Sequence, residues 1–564
     1  MQTMSHRMNH TDGRAGLTPV IKTLSNIIPL LFGLISACCR YVAEHDGELC
    51  FDDPLLPATM VLFSSACVTF FKMLDWTLNN YGRIVNRPNR VFPIHVRRFL
   101  NQVNCLELTI SRKVISVCAA FILICWAPYL IRLFPGIYWS DTTWQISDAF
   151  NLNYLSDHHP YFDTIIIGAF AKLGDIVSGK PIYGTYLLVI LNSMLSALSF
   201  SILSCGLSQY GCKSTWQITL LVFFAINPLF PIFLSSLCKD TLHLPWIVLF
   251  GTLFCHLWKT RHAGQRESLF YFFVCLMCCL TKKIGIIIVT SSTLALLMRM
   301  SSQKSRLSII SAVLSWMLLS QAILPSTVSL WRNIAPGGKQ EMLSVPLQQV
   351  ANVIRKNPGS LTNLDWKTVT DSYLYPAFEL PTLYNWMAAD GVKGYTQPPN
   401  ANYRDFIALW ARLGIINPTL YLESAAGLWA DWFYPASSEQ LTPILESRTE
   451  CDFTNGLGGW DPAPQAGDDF GQTYRTIRAL PIISLMFYKS LYATAIPAYL
   501  LYRALRAKDR MLRTVFLAPI LMHVAALLVG PVSIWQEGIR YVFPLVALCP
   551  FFCLVLLDQE SHIN

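Results

Sequence analysis

The stretch VISVCAAFILICWAPYLIRLF, from Val114 to Phe134, is an apolar run long enough to cross a membrane. A helix needs about 20 predominantly apolar residues to span a bilayer. Similar runs recur along the 564 residues, for example PIYGTYLLVILNSMLSALSF from Pro181, and 53% of the chain is hydrophobic while only 14% is charged. This composition excludes an ordinary soluble protein of this length. The sequence therefore predicts an all-α polytopic membrane protein.

The apolar runs predict about 12 transmembrane helices in four regions. The predicted spans cover residues 24–42, 54–74, 114–134, 181–204, 214–234, 241–258, 268–281, 284–300, 307–326, 480–502, 514–532 and 541–557. The regions are two N-terminal spans with a basic cytoplasmic loop (1–113), a membrane core that contains an outer loop at 135–164 (114–325), an outer-face segment (326–479) and the C-terminal spans (480–564).

Basic residues alternate between the predicted connections and thereby predict the orientation. Lys and Arg are concentrated in residues 83–113, 259–266, 299–306 and 503–513, whereas the opposite connections are acidic or nearly free of them. Because cytoplasmic loops carry an excess of Lys and Arg, we expect both termini in the cytoplasm and residues 135–164 and 326–479 on the outer face of the cytoplasmic (plasma) membrane. The net charge of +9 is spread over short loops, so no nucleic-acid partner is expected.

The outer-face segment is predicted to be mixed, with helices beside the membrane. EMLSVPLQQVANVIRK, from Glu341, has apolar residues at near-helical spacing and predicts an amphipathic helix. INPTLYLESAAGLWADWFYP, from Ile416, predicts a segment that lies along the interface or re-enters the membrane. GLGGWDPAPQAGDDFG, from Gly456, predicts a turn-rich loop.

A short acidic helix is predicted immediately after the third span. Ser140 is a suitable N-cap for DTTWQISDAF, and Asp141, Gln145 and Asp148 then fall on one face of that helix. One interpretation is that these carboxylates are solvated loop charges, with Asp141 favouring the helix N-terminus. The other is that they form part of a functional site, which their ionisable neighbours favour.

Two histidines follow this helix in a compact turn formed by Asp157, His158, His159 and Pro160. Adjacent residues point in different directions, so both histidines are not expected on one metal. One of them together with Asp141 or Asp148 could hold a divalent metal ion. The alternative is a pair of interfacial histidines with ordinary hydrogen bonds.

Cations are predicted to converge on the same face of the membrane. Lys239 and Asp240 follow a span broken by proline, Arg540 opens the last span, and Lys282 and Lys283 separate two short apolar runs. Basic residues at span ends often only extend to the interface. Several cations beside several carboxylates instead favour a pocket that holds an anionic lipid headgroup next to a carboxylate that accepts a proton.

No nucleotide cofactor is expected. The sequence contains no G-x-x-x-x-G-K-S/T phosphate loop and no strand-associated G-x-G-x-x-G. A nucleotide-driven pump or a transferase with a soluble nucleotide-sugar domain is therefore disfavoured, and a lipid-linked donor is favoured.

These residues together resemble an integral-membrane glycosyltransferase of the GT-C superfamily. More specifically, the chain resembles a bacterial group in which a D-x-x-x-Q motif after an early span is followed by H-H-P. The residues that carry this resemblance are Asp141 and Gln145, His158 to Pro160, Lys239 and Asp240, Glu341 to Gln349, and Arg540 and Tyr541. The similarity begins near Val114 and implies a GT-C-like core, to which the first two spans look like an addition.

The resemblance implies transfer of a sugar from a polyprenyl-phosphate donor to an envelope glycan, lipid or protein acceptor at the outer face. By position, Asp141 matches the aspartate that acts as base or metal ligand, and Lys239 and Arg540 are candidates to stabilise the leaving phosphate. The catalytic candidates are Asp141, Asp148, His158 and His159, and the substrate-binding candidates are Gln145, Lys239, Asp240, Glu341, Gln348, Arg540 and Tyr541.

Several alternatives remain open from the sequence. A single-displacement, inverting reaction follows unless a second carboxylate, Asp148 or Asp163, acts as nucleophile. A lipid or polysaccharide transporter would use the same charges for binding alone, and an outer-face glycan ligase would differ only in the size of its donor. A non-catalytic assembly protein would use the outer segment to bind a partner.

Overall fold

The computed structural model describes residues 19–85, 108, 110–150, 154–335, 337–394, 396, 398, 400–437, 440–441, 468–530, 532–535 and 538–557. Most of the basic loop predicted between the second and third spans lies outside these residues. So does most of the turn-rich stretch predicted from Gly456.

The described chain is helical along most of its length. The helices that precede the long connecting segment are α1 (Pro19–Glu44), α2 (Leu55–Val85), α3 (Arg112–Arg132), α4 (Ser140–Phe150), α5 (Tyr161–Ser178), α6 (Pro181–Gly206), α7 (Ser214–Ile226), α8 (Leu229–Leu234), α9 (Lys239–Thr260), α10 (Gln265–Thr281), α11 (Gly285–Arg299), α12 (Gln303–Leu318) and α13 (Leu324–Ser329).

Residues 330–437, which we call the connecting segment, contain helices of 4 to 14 residues, and further helices follow. The helices of the connecting segment are α14 (Ser344–Lys356), α15 (Asn363–Ser372), α16 (Leu380–Leu383), α17 (Asp390–Lys393), α18 (Tyr403–Ile416), α19 (Pro418–Leu428) and α20 (Ala430–Phe433). The helices after it are α21 (Asp468–Ala479), α22 (Ile496–Arg506), α23 (Arg510–Phe516), α24 (Ala518–Val529) and α25 (Ile539–Leu557).

Seven helical stretches in the described part of the chain are long and apolar enough to cross a membrane. They are Ser25–Glu44, Leu55–Leu78, Arg112–Arg132, Pro181–Tyr210, Lys239–Thr260, Gln303–Ser329 and Ile539–Leu556. Each corresponds to a predicted span, which confirms a helical membrane protein.

The other five predicted spans are interrupted or short. The run 214–234 breaks between α7 and α8, and α10 and α11 are separate helices of 17 and 15 residues. The run 480–502 is interrupted, because a 3₁₀ turn (Ile483–Phe487) and a π-helical turn (Leu491–Ala495) precede α22. Helices α23 and α24 meet at 60° and make an eighth span only if counted together. Twelve crossings and a GT-C core therefore stay predictions.

Helix α3 shows how an apolar sequence becomes a span. The hydroxyl of Ser111 caps its start by accepting a hydrogen bond from the Val114 amide at 3.3 Å. Ile122 and Trp126 are completely buried, whereas Ile124 is 72% exposed on the other side. A helix that is apolar on every face and still exposed on one of them is suited to lipid.

Helices α5 and α6 approach closely where two glycines meet. A Cβ atom on Gly184 would lie 1.8 Å from the carbonyl oxygen of Phe170, and one on Gly174 would lie 2.4 Å from the Gly184 amide nitrogen. Small residues of this kind let helix backbones pack tightly in membranes. The contact fixes α5 against the rest of the bundle.

Two short parallel sheets tie distant parts of the chain together. Strand β1 (Ile137–Tyr138) pairs with β3 (Ser236–Leu237), and strand β2 (Tyr154–Ser156) pairs with β4 (Asn333–Ala335). Parallel strands require a long crossover between them. Here the crossovers contain whole helices, so the loop after α3 is fastened to the start of α9 and to the start of the connecting segment.

The connecting segment has a hydrophobic core of its own. The amphipathic helix predicted from Glu341 is confirmed in part: residues Lys339–Leu343 form a 3₁₀ turn and α14 follows. The buried residues of this core are Leu347, Val350, Ala351, Val353, Ile354, Leu361, Val369, Tyr373, Leu380, Val392, Phe406, Leu409, Leu413 and Tyr421.

The first two helices dock on the connecting segment through a buried carboxylate. Glu423 on α19 is 1% exposed and accepts hydrogen bonds from the Leu49 amide at 2.7 Å and from Asn352 Nδ2 at 2.9 Å. Lys356 Nζ forms an ion pair with it at 2.7 Å. The loop between α1 and α2 is therefore joined to α14 and α19.

Candidate functional site

The pairing of β1 with β3 brings Asp141 next to Lys239. Ile137 faces Ser236 and Tyr138 faces Leu237 in this sheet, so α4 and α9 begin side by side. The Thr142 hydroxyl reinforces the junction by donating to the Leu237 carbonyl oxygen. Asp141 lies in the first turn of α4 and Lys239 in the first turn of α9.

Asp141 is held by two cations at once. Lys239 Nζ lies 2.9 Å from Asp141 Oδ2, and Arg540 Nη1, at the start of α25, donates to the same oxygen. His159 Nδ1 lies 4.0 Å from this oxygen. Lys239 comes from the start of α9, Arg540 from the start of α25 and His159 from the turn before α5. Their contacts with Asp141 confirm the predicted convergence of these residues.

The two cations keep Asp141 ionised. Burial alone would raise the pKa of Asp141, but the charges of Lys239 and Arg540 lower it, and the net pKa lies well below its usual range. A carboxylate with so low a pKa is a weak proton acceptor while both cations hold it.

His159 is a neutral hydrogen-bond acceptor. It is 4% exposed, and its Nδ1 lies 2.8 Å from Lys239 Nζ. Because an ammonium group only donates, Nδ1 accepts and the ring proton resides on Nε2. Burial, followed by the charge of Lys239, lowers the pKa of His159 to about 2.

His158 is close to Asp141 and also to Glu341 of the connecting segment. Its ring contacts that of His159 edge-on at 4.7 Å between centroids, and its backbone amide donates to Ser156 Oγ at 3.1 Å. Burial lowers the pKa of His158, while charges on Glu341 and Asp141 act in the opposite direction. It is therefore within electrostatic range of both groups.

The arrangement does not fit the divalent metal ion that the sequence left open. Two of the candidate ligand atoms, Asp141 Oδ2 and His159 Nδ1, both already contact the ammonium group of Lys239. Among the residues that the structure describes, no group of three or more His, Cys, Asp or Glu side chains is placed to hold a metal.

A second ion pair adjoins the first. Lys282 pairs with Asp240, and Arg540 Nε lies 3.9 Å from Asp240 Oδ2. Lys282 Nζ makes a cation–π contact with Tyr541, 5.0 Å from the ring centroid. The Tyr541 hydroxyl accepts a hydrogen bond from Arg540 Nη2 at 2.9 Å. We call Asp141, Lys239, Asp240, Lys282 and Arg540 the charge cluster. It has three cations and two carboxylates, a net charge of +1 when all are ionised.

Gln145 and Asp148 follow Asp141 along α4 but differ in surroundings. Gln145 is completely buried, and its Nε2 lies 3.3 Å from Thr164 Oγ1. Asp148 is partly buried, which raises its pKa, and it forms no ion pair with any residue that the structure describes. The structure therefore links Gln145 to α5 and leaves Asp148 apart from the charge cluster.

Asp163 is a buried acid close to the charge cluster. It is 0% exposed on the first turn of α5, and neither carboxyl oxygen has a hydrogen-bond partner among the described residues. Burial raises the pKa of Asp163 well above its usual range, against the opposing charge of Lys239. The surroundings of Asp163 therefore favour its protonated, neutral form.

Glu341 lies in a separate polar group on the connecting segment. Lys393 Nζ is 2.7 Å from Glu341 Oε2 and 2.8 Å from Asp390 Oδ1. These three residues line a cavity of about 250 Å³, and Arg540 and Tyr541 form its other wall. We call it the Glu341 cavity.

Gln348, the other candidate on this segment, has a structural contact. It is completely buried and donates from Nε2 to the Asn385 carbonyl oxygen, which fixes the loop before α17.

Sequence reasoning missed part of this site. The sequence identifies Lys282 as a cation but does not indicate that Asp240 is its ion-pair partner. It gives no indication of the Lys393–Asp390 pair. The only signal for Lys282 was its position between two short apolar runs. The short helix that carries Asp390 and Lys393 offered no signal, because its four residues have no distinctive pattern.

Comparison with known proteins identifies a family and no activity. No curated protein and no solved structure matches the chain. A model of the family described as DUF6020, a family of unknown function, matches residues 149–563. The match includes His158, His159, Lys239 and Arg540 and begins just after Asp148, so Asp141 precedes it. Because it spans most of the chain, the protein belongs to the DUF6020 family.

Proposed function

We propose that this protein is a glycosyltransferase that moves a sugar from a polyprenyl-phosphate donor to an acceptor hydroxyl at the outer face of the cytoplasmic membrane. The observation that carries this proposal is the charge cluster. It lies at the beginning of two apolar helices of spanning length, α9 and α25, where a lipid phosphate would meet the membrane surface.

The net charge of the cluster suits a phosphodiester. Three cations and two carboxylates leave one positive charge uncompensated, and a phosphodiester has one negative charge. Lys239, Lys282 and Arg540 supply N–H donors within a largely buried site, where charge-assisted hydrogen bonds are strong. The same donors stabilise the charge that develops on the leaving phosphate.

Donor binding also prepares Asp141 for its role. In the present arrangement Lys239 and Arg540 make Asp141 a weak base. A donor phosphate competes for both cations, and as they turn toward it the pKa of Asp141 rises. The carboxylate then becomes a better acceptor for the proton of the attacking hydroxyl.

The proposed step is a single displacement. The acceptor oxygen forms a bond to the anomeric carbon as its proton passes to Asp141, and the bond from that carbon to the phosphate oxygen breaks. Polyprenyl phosphate leaves with the electron pair. Burial favours the neutral form of Asp163, and a neutral carboxyl group is a poor nucleophile, which favours inversion over a covalent intermediate.

Release of polyprenyl phosphate tests this function. The protein in lipid nanodiscs is incubated with a panel of polyprenyl-phosphate sugars and with an extract of envelope glycans, lipids and proteins as acceptors, and the free polyprenyl phosphate is measured with wild type, Asp141→Asn and the control Asp175→Asn. Asp175 lies at the far end of α5, paired with Lys172. We expect Asp141→Asn to reduce release by about 10²- to 10⁴-fold and the control to retain it. Release no greater than from empty nanodiscs for every sugar contradicts the proposal.

A lipid or polysaccharide transporter is the second candidate, favoured by polar groups that extend inward from the charge cluster. His243 on α9 is completely buried, with Nδ1 2.9 Å from Thr281 Oγ1, and His523 on α24 is 3% exposed. Buried ionisable groups inside spans often mark a substrate or proton path. Transport would require lipid movement between leaflets without release of polyprenyl phosphate, so the same assay separates the two functions.

A further inference from the structure

We infer that the Glu341 cavity is the acceptor subsite and that it binds one neutral sugar ring through a hydroxyl group. This inference rests on the proposed function, because the cavity shares Arg540 with the charge cluster. The chemistry of the cavity walls supports it in four respects.

The first is an unmet pair of hydrogen-bonding groups. Glu341 Oε1 is buried and has no hydrogen-bond partner among the described residues, although Oε2 of the same carboxylate pairs with Lys393. Arg540 Nε is likewise buried without a hydrogen-bond partner among the described residues, because the carboxylate oxygen that it faces, Asp240 Oδ2, is 3.9 Å away and beyond hydrogen-bond range. One wall of the cavity therefore needs a donor and the other needs an acceptor. A hydroxyl group is both.

The second is an exposed aromatic surface. Trp535 lines the cavity and is 40% exposed, unlike the fully buried Trp432 nearby. The backbone of Trp535 is held in place, because Lys489 Nζ donates a hydrogen bond to its carbonyl oxygen at 3.0 Å. An indole has a large apolar face, on which the apolar side of a sugar ring can stack.

The third is size. Pockets that enclose drug-sized ligands have volumes of roughly 300–1,000 Å³. The Glu341 cavity, at about 250 Å³, lies just below this range. It has room for one ring and not for an oligosaccharide, so any further sugars of the acceptor extend into solvent.

The fourth is charge. Glu341, Asp390 and Lys393 together contribute two carboxylates and one ammonium group. Burial alone would lower the pKa of Lys393, but Asp390 and Glu341 raise it above its ordinary value, so the ammonium group stays charged. Arg540 on the opposite wall supplies a second cation, so the charged side chains that line the cavity sum to zero and offer no net attraction to an anionic ring such as a uronate.

Saturation-transfer NMR with methyl glycosides tests the subsite without a donor. The detergent-solubilised full-length protein is titrated with methyl glucoside, methyl mannoside and methyl galactoside, and with methyl glucuronoside as the anionic probe. The variants are Trp535→Ala and Glu341→Gln, and the control is Trp331→Ala, whose side chain is 83% exposed outside the cavity.

We expect at least one neutral glycoside to bind wild type and the Trp331→Ala control, and to lose at least tenfold in affinity in both cavity variants. Methyl glucuronoside is expected to bind more weakly than that neutral glycoside, because its carboxylate would lose hydration without a net positive charge to compensate. The inference is overturned if no neutral glycoside binds wild type, if neither cavity variant weakens binding, or if the glucuronoside binds equally well. The glycoside-binding assay contains no sugar donor. Its failure contradicts the acceptor subsite, whereas failure of polyprenyl-phosphate release contradicts the proposed function, so the two failures are distinguishable.

Discussion

Arg540 donates a hydrogen bond from Nη1 to the carboxylate of Asp141, although 399 positions separate the two residues. The contact joins the beginning of α25 to the first turn of α4. Lys239 joins the same carboxylate from α9. One oxygen of Asp141 therefore holds three remote parts of the chain together, and its loss has consequences for stability as well as for chemistry.

The Asp141–Lys239 pair should show strong coupling in a double-mutant cycle. Lys239→Met removes one of the two cations on a largely buried carboxylate, and breaking a buried pair from one side typically costs about 3–5 kcal/mol. We expect Asp141→Asn combined with Lys239→Met to cost less than the sum of the single changes. Thermal unfolding in detergent measures this coupling, and additive effects would show that the pair contributes little.

The buried pair of Lys489 and Asp431 should be similarly sensitive. Both side chains are 0% exposed, with Lys489 Nζ 3.0 Å from Asp431 Oδ2. Lys489→Met leaves the Asp431 carboxylate without its cation, and we expect a loss of about 3–5 kcal/mol. Arg40→Met, in an exposed pair with Glu44, is the control and should cost about 1 kcal/mol or less. Equal shifts in unfolding temperature for the two variants would contradict this account.

Stability should fall as the pH drops because His159 is kept neutral. In the unfolded chain its pKa is near the ordinary value of about 6.5, whereas in the folded protein it is about 2. The unfolded state therefore binds one more proton below pH ~6.5, and the free energy of unfolding decreases by up to about 1.4 kcal/mol per pH unit. His159→Asn should flatten this dependence, and the exposed His262→Asn should not. Equal slopes for wild type and His159→Asn would contradict a neutral His159.

Asp163 should have the opposite pH dependence. Its pKa is raised in the folded protein, so folding takes up a proton wherever the unfolded carboxyl group is ionised, and stability declines as the pH rises above ~3.9. Asp163→Asn removes this uptake, and we expect its stability relative to wild type to increase from pH 5 to pH 8. Unfolding temperatures at both pH values measure the difference. A constant difference would mean that Asp163 is ionised in the folded protein.

Much of this architecture is readable from the sequence, for identifiable reasons. Asp141, Lys239 and Arg540 lie directly at the ends of apolar runs, so charge alternation predicts that they share one face of the membrane. Their contacts are not predictable in this way. The pairing of β1 with β3 involves two residues on each strand, too few for an alternating pattern to signal it.

Residues on the connecting segment were harder to assign. Glu341 was predicted to bind substrate, yet its partner Lys393 lies in a four-residue helix without periodicity. Gln348 shares the same motif, but it fixes the loop at Asn385. Short motifs show which residues are unusual, and only the tertiary fold distinguishes those that face the Glu341 cavity from those that support it.

The central claim, that the charge cluster holds the phosphate of a lipid-linked sugar donor, is tested most directly by mass spectrometry of lipids that copurify from the native membrane. Wild type and Asp141→Asn are compared, with Asp175→Asn as control. We predict that a polyprenyl-phosphate sugar is enriched on Asp141→Asn, because the variant keeps Lys239, Lys282 and Arg540 for the phosphate but cannot accept the proton. The absence of any such lipid from all three proteins would contradict the claim.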